Sequence, residues 1–174
     1  MRSIVRKLST ALAALTLVPA LLITAAAPAS ASAAGFGSIR ARSNMAMCLD
    51  ISRGSTKNHE PIQIYYCNGG QNQAWDFTPD TIGPDHASYG LLINRASGKC
   101  VDVESASLAP GAHIEQYTCY PGTRNQLWSY DFASGRFRAL HSGLCISAVG
   151  PGNKVRTVQW HCADSSRATD WEAW

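Results

Sequence analysis

Two sets of side chains recur along this 174-residue chain at matching intervals, and their types suit noncovalent recognition of a hydroxyl-rich ligand. The first is Asp50, Tyr65 and Asn72; the second is Asp102, Tyr117 and Asn125. A carboxylate is an acceptor only, and its hydrogen bonds are charge-assisted. An amide both donates and accepts, so it can discriminate the orientation of a hydroxyl. An aromatic ring can cover a C–H face. Residue alternation along a strand places Gln63 on the side of Tyr65, and Glu115 on the side of Tyr117, as further contacts. Taken singly, each residue has a plainer role. An aspartate after Cys-Leu can cap a turn, and an exposed strand tyrosine is common. It is the joint recurrence that favours a binding site.

The elements that must position these residues are written in cysteine and tryptophan. Cys48-Leu49-Asp50 is followed by Cys67 and Asn72-Gln73-Ala74-Trp75. Cys100-Val101-Asp102 is followed by Cys119 and Asn125-Gln126-Leu127-Trp128. Cys145-Ile146-Ser147 is followed by Trp160, Cys162 and Ala168-Thr169-Asp170-Trp171. Self-similarity at this period signals a repeat architecture, in which one unit cannot bury its own apolar face. The repeat selects one of the 15 connectivities that six cysteines permit, with bridges Cys48–Cys67, Cys100–Cys119 and Cys145–Cys162. Pairs so widely spaced lack the close C-x2-C signature of a structural zinc site. Trp75, Trp128 and Trp171 read as core residues whose indole N–H groups need partners.

Apolar residues alternate over short stretches, with Ile62, Ile64 and Tyr66 on one side of a strand and Gln63, Tyr65 and Cys67 on the other. Leu91–Ile93, Cys100–Val103 and Arg136–Leu140 read as further strands. Turn signals separate them at Asn68-Gly69-Gly70, Ser97-Gly98-Lys99, Pro110-Gly111, Pro121-Gly122, Ser142-Gly143 and Gly150-Pro151-Gly152. Residues 79–88 read as a looped insertion between the first two units. The expectation is an all-β barrel of three equivalent lobes.

The Cys-Leu-Asp opening, the aromatic two residues before the second cysteine and the Asn-Gln-x-Trp motif resemble the ricin B-chain type β-trefoil lectins, which include carbohydrate-binding modules of secreted bacterial glycosidases. The resemblance spans residues 36–174. It implies a β-trefoil with pseudo-threefold symmetry, lobes near 36–78, 89–130 and 131–174, and carbohydrate as the partner: a galactoside, xylan, arabinan or similar polysaccharide. It also implies that Tyr65 and Tyr117 are the aromatic platforms, and that Asp50, Asn72, Asp102 and Asn125 read sugar hydroxyls, with Gln63 and Glu115 beside them. Gln73 and Gln126 belong to the same set, as supports of the neighbouring loop. The third lobe departs from the pattern. Ser147 replaces aspartate, Ala168 replaces asparagine and Thr169 replaces glutamine; only the aromatic, Trp160, persists. This lobe is expected to be structural, or at most a weak apolar platform.

The first 33 residues read as a cleaved secretory signal, in preference to an uncleaved membrane anchor. Arg2, Arg6 and Lys7 precede an apolar stretch from Leu8 to Ala27, and small residues follow at 29–33. Their removal takes three of the 15 Lys and Arg residues and none of the 12 acidic ones, leaving a formally neutral domain of residues 34–174. A nucleic-acid partner needs clustered surplus cations, and none are expected. No membrane anchor remains after cleavage, no cofactor or metal is implied, and a secreted monomer is expected. Catalysis is not expected either. Glycoside hydrolysis needs two carboxylates across one bond, and Asp50 and Asp102 lie on different lobes. His59, His86, His113, His141 and His161 sit in no nucleophile or metal motif and read as surface residues. The alternative readings are a protein-binding trefoil or inhibitor using exposed loops and, more remotely, a glycoside hydrolase.

Overall fold

The structure is a computed structural model and describes residues 34–150, 152–164 and 170–173. Short strands with turn residues between them fold into three successive sets. The first comprises β1 (Ala34–Ala41), β2 (Asn44–Ile51), β3 (Glu60–Tyr66) and β4 (Ala74–Ile82). The second comprises β5 (Ser88–Asn94), β6 (Cys100–Val103), β7 (Ile114–Tyr117) and β8 (Leu127–Asp131). The third comprises β9 (Arg136–Ala139), β10 (Cys145–Ala148), β11 (Val155–Trp160) and β12 (Trp171–Ala173). In each set the middle two strands form a hairpin whose register repeats: Asp50 opposes Gln63, Asp102 opposes Glu115 and Ser147 opposes Val158.

The outer strands pair in the order β12–β1–β4–β5–β8–β9. The Trp171 N–H donates to the Gly135 carbonyl at 2.7 Å and joins the two ends. The hairpins pair with one another around the same axis. β3 meets β7 at Pro61–Glu115, β11 meets β3 at Arg156–Gln63, and a single bridge joins His113 to Val158. The result is an all-β trefoil, with each lobe closed by its own disulfide: Cys48–Cys67, Cys100–Cys119 and Cys145–Cys162.

Trp75, Trp128 and Trp171 are fully buried in one shared core with Leu49, Val101 and Ile146. Each indole N–H donates to the carbonyl just after the first cysteine of its lobe, at Leu49 (3.1 Å), Val101 (2.9 Å) and Ile146 (3.0 Å). Burying a tryptophan N–H without a partner is costly, and the repeat solves this once and copies the solution. The bond also ties the end of each repeat to its start, behind the aspartate position.

Two expectations need correction. Residues 79–88 are not a looped insertion. β4 runs on to Ile82 and β5 begins at Ser88, with Ile82 opposite Ser88 and Thr81 opposite Tyr89. Pro79 has no N–H to give the ladder, and a bulge between Pro79 and Thr81 carries the strand past it. Gly90 faces this bend, where a Cβ would lie 2.3 Å from the Thr78 carbonyl. Tyr66 does not share the buried side of Ile62 and Ile64. It is 55% exposed because β3 ends there and the disulfide turns the chain away. The first 33 residues, and with them the signal-peptide reading, lie outside the described residues.

Candidate functional site

In lobes one and two, a short 3-10 turn just before the core tryptophan, Gln71–Gln73 or Arg124–Gln126, aims an asparagine and a glutamine at the hairpin aspartate. Asp50 accepts from Gln63 Nε2 at 2.9 Å, Asn72 Nδ2 at 2.7 Å and Gln73 Nε2 at 2.9 Å. Asp102 accepts from Asn125 Nδ2 at 3.0 Å and Gln126 Nε2 at 2.8 Å. The asparagines also reach the carbonyl after the aspartate, Ile51 or Val103. The glutamines are braces. Gln73 is buried, donates to the Tyr66 carbonyl and accepts from the Asn68 N–H; Gln126 repeats this with Thr118 and Tyr120. Each aspartate is thus fixed against a ligand by amides that are themselves fixed.

A cavity opens over each aspartate. That of lobe one, about 720 Å³, is walled by Tyr65, Gln63 and Asn72; that of lobe two, about 290 Å³, by Tyr117, Glu115 and Asn125. Asp50, Gln63, Tyr65 and Asn72 therefore come together in one place, and Asp102, Glu115, Tyr117, Asn125 and Gln126 in another. Gln73 stands behind the first group.

The two floors differ because Gln63 is replaced by Glu115. Gln63 donates to Asp50, which is left with little spare acceptor capacity: three of about four lone-pair positions are used. Glu115 cannot donate when ionised, and both bonds to Asp102 converge on one oxygen, Oδ2. The other oxygen stays open to a ligand. Burial pushes the Asp102 carboxyl up to about 6, helped by the Glu115 charge and opposed by the bonds from Gln126 and Asn125 and by His59. Burial also raises Asp50, against its three amide bonds.

Neighbouring lobes complete these sites, and the sequence reading missed this. His59 is exposed, as expected of it, and its ring also lines the cavity of lobe two. Its Nδ1 sits 2.9 Å from Glu115 Oε1, and its ring meets Tyr117 edge to face at 4.9 Å. Lys154 and Arg156 line the cavity of lobe one, with Arg53 of that lobe's own loop. The signal was present. His59, Gly111 and Lys154 each stand six residues before the hairpin aromatic, Tyr65, Tyr117 or Trp160. All three have positive φ (63°, 91° and 63°), and the N–H of each donates to the next lobe, at Gln116, Gln159 and Ile64.

At the positions matching Asp50 and Gln63, lobe three has neither carboxylate nor amide. Ser147 is buried and Val158 faces it across the hairpin. Trp160 donates its indole N–H to Asp164 at 2.7 Å. Gly111 packs beside the Trp160 ring, where a Cβ would lie 3.6 Å from it. Ala168 and Thr169 lie outside the described residues.

Comparison with known proteins agrees with this fold. The family model of the ricin-type beta-trefoil lectin domain matches residues 35–171. The chain belongs to that family. No curated protein sequence matches it. Among solved structures, the domain is similar to the designed threefold-symmetric protein ThreeFoil, at 29% identity and a TM-score of 0.68 over 79% of this chain and 96% of that one. The Rhizoctonia solani agglutinin aligns at 20% identity and a TM-score of 0.68, over 84% of this chain and 98% of that one. An exo-beta-1,3-galactanase from Clostridium thermocellum aligns at 24% identity and a TM-score of 0.68, over 79% of this chain but only 29% of the enzyme. These likenesses carry the fold, and family membership supports carbohydrate binding.

Proposed function

We propose that the protein is an exported, noncatalytic carbohydrate-binding module whose lobes one and two each hold one sugar unit of a galactoside, xylan, arabinan or similar polysaccharide. The observation that carries this reading is the repeated cluster of Asp, Asn and bracing Gln beneath a tyrosine-walled cavity. Tyr65 or Tyr117 covers the C–H face of a pyranose, while the aspartate and asparagine read its hydroxyl edge. The domain works as a monomer, needs no cofactor, and is released after cleavage within the first 33 residues. Calorimetry on the mature protein should give two sites per chain. Asp50→Ala and Asp102→Ala should each leave one, and the double variant none. A stoichiometry of three would assign a site to Trp160.

One observation favours a second reading. Asp102 and Glu115 are opposed carboxylates in one cavity, and Asp102 holds its proton up to about pH 6. Unlike carboxylates are what glycoside hydrolysis uses. Here, however, Gln126 and Asn125 hold Asp102 while His59 engages Glu115. Reducing ends released by wild-type protein but not by Asp102→Asn or Glu115→Gln would establish that reading.

A further inference from the structure

The two cavities are of opposite electrical character, and the difference can be followed position by position. Arg53 of the Ser52–Gly54 turn has the same backbone as Ser105 of the Glu104–Ala106 turn, with φ/ψ of 56°/16° against 55°/23°. Lys154 stands where lobe two receives His59, because their N–H groups bond Ile64 and Gln116, matching residues of β3 and β7. Arg156 opposes Gln63 where Pro61 opposes Glu115. At three equivalent places, then, lobe one has Arg, Lys and Arg where lobe two has Ser, His and Pro. Lobe one also has a neutral Gln63 where lobe two has Glu115.

All three cations line the lobe-one cavity, and none makes an ion pair with the described residues. Two of them occupy left-handed backbone, a conformation that side-chain-bearing residues rarely adopt. Glu60 and Asp50 line the same cavity and offset two of the three charges. Asp50 beneath has three of its acceptor positions occupied by amides. The wall that remains for a ligand is therefore rich in donors and net positive, the complement of an anionic oxygen group.

Resting on the carbohydrate reading above, we propose that lobe one is a site for an acidic sugar unit, whose carboxylate or sulfate is held by Arg53, Lys154 and Arg156, while lobe two takes a neutral unit. The ligand as a whole is then a polymer in which charged and neutral units alternate or branch. Two of the three cations that set the specificity of lobe one come from lobe three, on β11 and the turn before it.

The test uses the mature protein at pH 7.5 with matched sugars: digalacturonate against galactobiose, glucuronate-substituted against plain xylotriose, and galactose 6-sulfate as the sulfate probe. Asp102→Ala isolates lobe one, and Asp50→Ala isolates lobe two. In the lobe-one protein at 50 mM NaCl, at least one acidic probe should bind about tenfold tighter than its neutral counterpart, the least expected of a hydrogen bond to a charged partner. The preference should shrink at 300 mM NaCl. The pair Lys154→Gln and Arg156→Gln should abolish it. Both side chains belong to exposed residues, so the melting temperature should hold. His59→Lys with Glu115→Gln should give lobe two a preference that it lacks. Which acidic probe wins separates carboxylate from sulfate. Equal affinity for acidic and neutral partners, or a preference surviving the Lys154/Arg156 pair, would overturn the proposal. Neutral sugar bound at lobe two with no acidic sugar at lobe one would overturn it alone, whereas no sugar bound at either lobe would remove the carbohydrate reading beneath it.

Discussion

Asp102 carries two opposed demands, and pH separates them. Its carboxyl sits near 6 in the fold, above the ordinary range of an unfolded chain near 4, so the native state binds the proton more tightly. Ionisation of Asp102 therefore costs stability above about pH 6, and the cost is withdrawn as pH falls toward 4. Sugar affinity should move the other way, since protonation removes the charge-assisted acceptor. Titrating lobe-two binding in Asp50→Ala from pH 7.5 to 5 should show affinity falling through about 6. Over the same range the melting temperature of wild-type protein should rise relative to Asp102→Asn. The bracing glutamine is a separate case. Gln126→Ala strips one bond from Asp102 and leaves the Thr118 carbonyl and Tyr120 N–H unpaired, so it should cost about 1–3 kcal/mol in stability as well as lobe-two affinity. Urea melts beside calorimetry separate the two effects.

The hairpins hold one another through two buried glutamines. Gln116 of β7 donates to the carbonyls of Ser55 and Lys57 and accepts from Ser97; Gln159 of β11 does the same with Ser107, Ala109 and Ser142. Each clamps the loop that delivers His59 or Gly111 to the next lobe. Gln116→Ala should destabilise by about 1–3 kcal/mol, through unpaired carbonyls. Amide exchange should quicken at residues 55–60 while residues 107–112 stay protected. At the matching place lobe one has Ile64, whose apolar side chain cannot clamp the loop before Lys154 in this way. Strand positions around the cysteines and tryptophans were legible in the sequence because alternation, turn residues and the repeat agreed. The hairpin at 79–88 was misread because Pro79, Gly83 and Pro84 spell a loop, and only pairing with β5 carries a strand through them. The aspartate, asparagine and tyrosine sets were legible for the same reason as the fold, since each lies at a fixed offset inside one repeat. His59, Lys154 and Arg156 were not, because they line cavities across the boundary that the repeat draws.

On the scale of the whole molecule, three short covalent loops share one core. Cys100–Cys119 closes a loop of 19 residues, and its removal by paired alanines should cost about 3 kcal/mol. Because β7 pairs with β3 of lobe one, a bridge joins His113 to Val158 of lobe three, and Val101 and Val103 of β6 sit in the shared core, the loss should appear as a single lower melting transition and not as one lobe unfolding alone. Two sites on one rigid body can also act together. A polymer long enough to span both should bind more tightly than either unit, and either aspartate substitution should remove that gain while sparing small-sugar binding at the other lobe.

The passage of Lys154 and Arg156 into the first lobe also sets an order in time. As the chain is synthesised, Asp50, Tyr65 and Asn72 appear early, yet the wall facing them is encoded about a hundred residues later. At ordinary elongation rates that is roughly 5–20 s of waiting. The cavity whose floor is made first is walled last, so a fragment ending before Lys154 carries the lobe-one floor residues and Arg53 without Lys154 and Arg156.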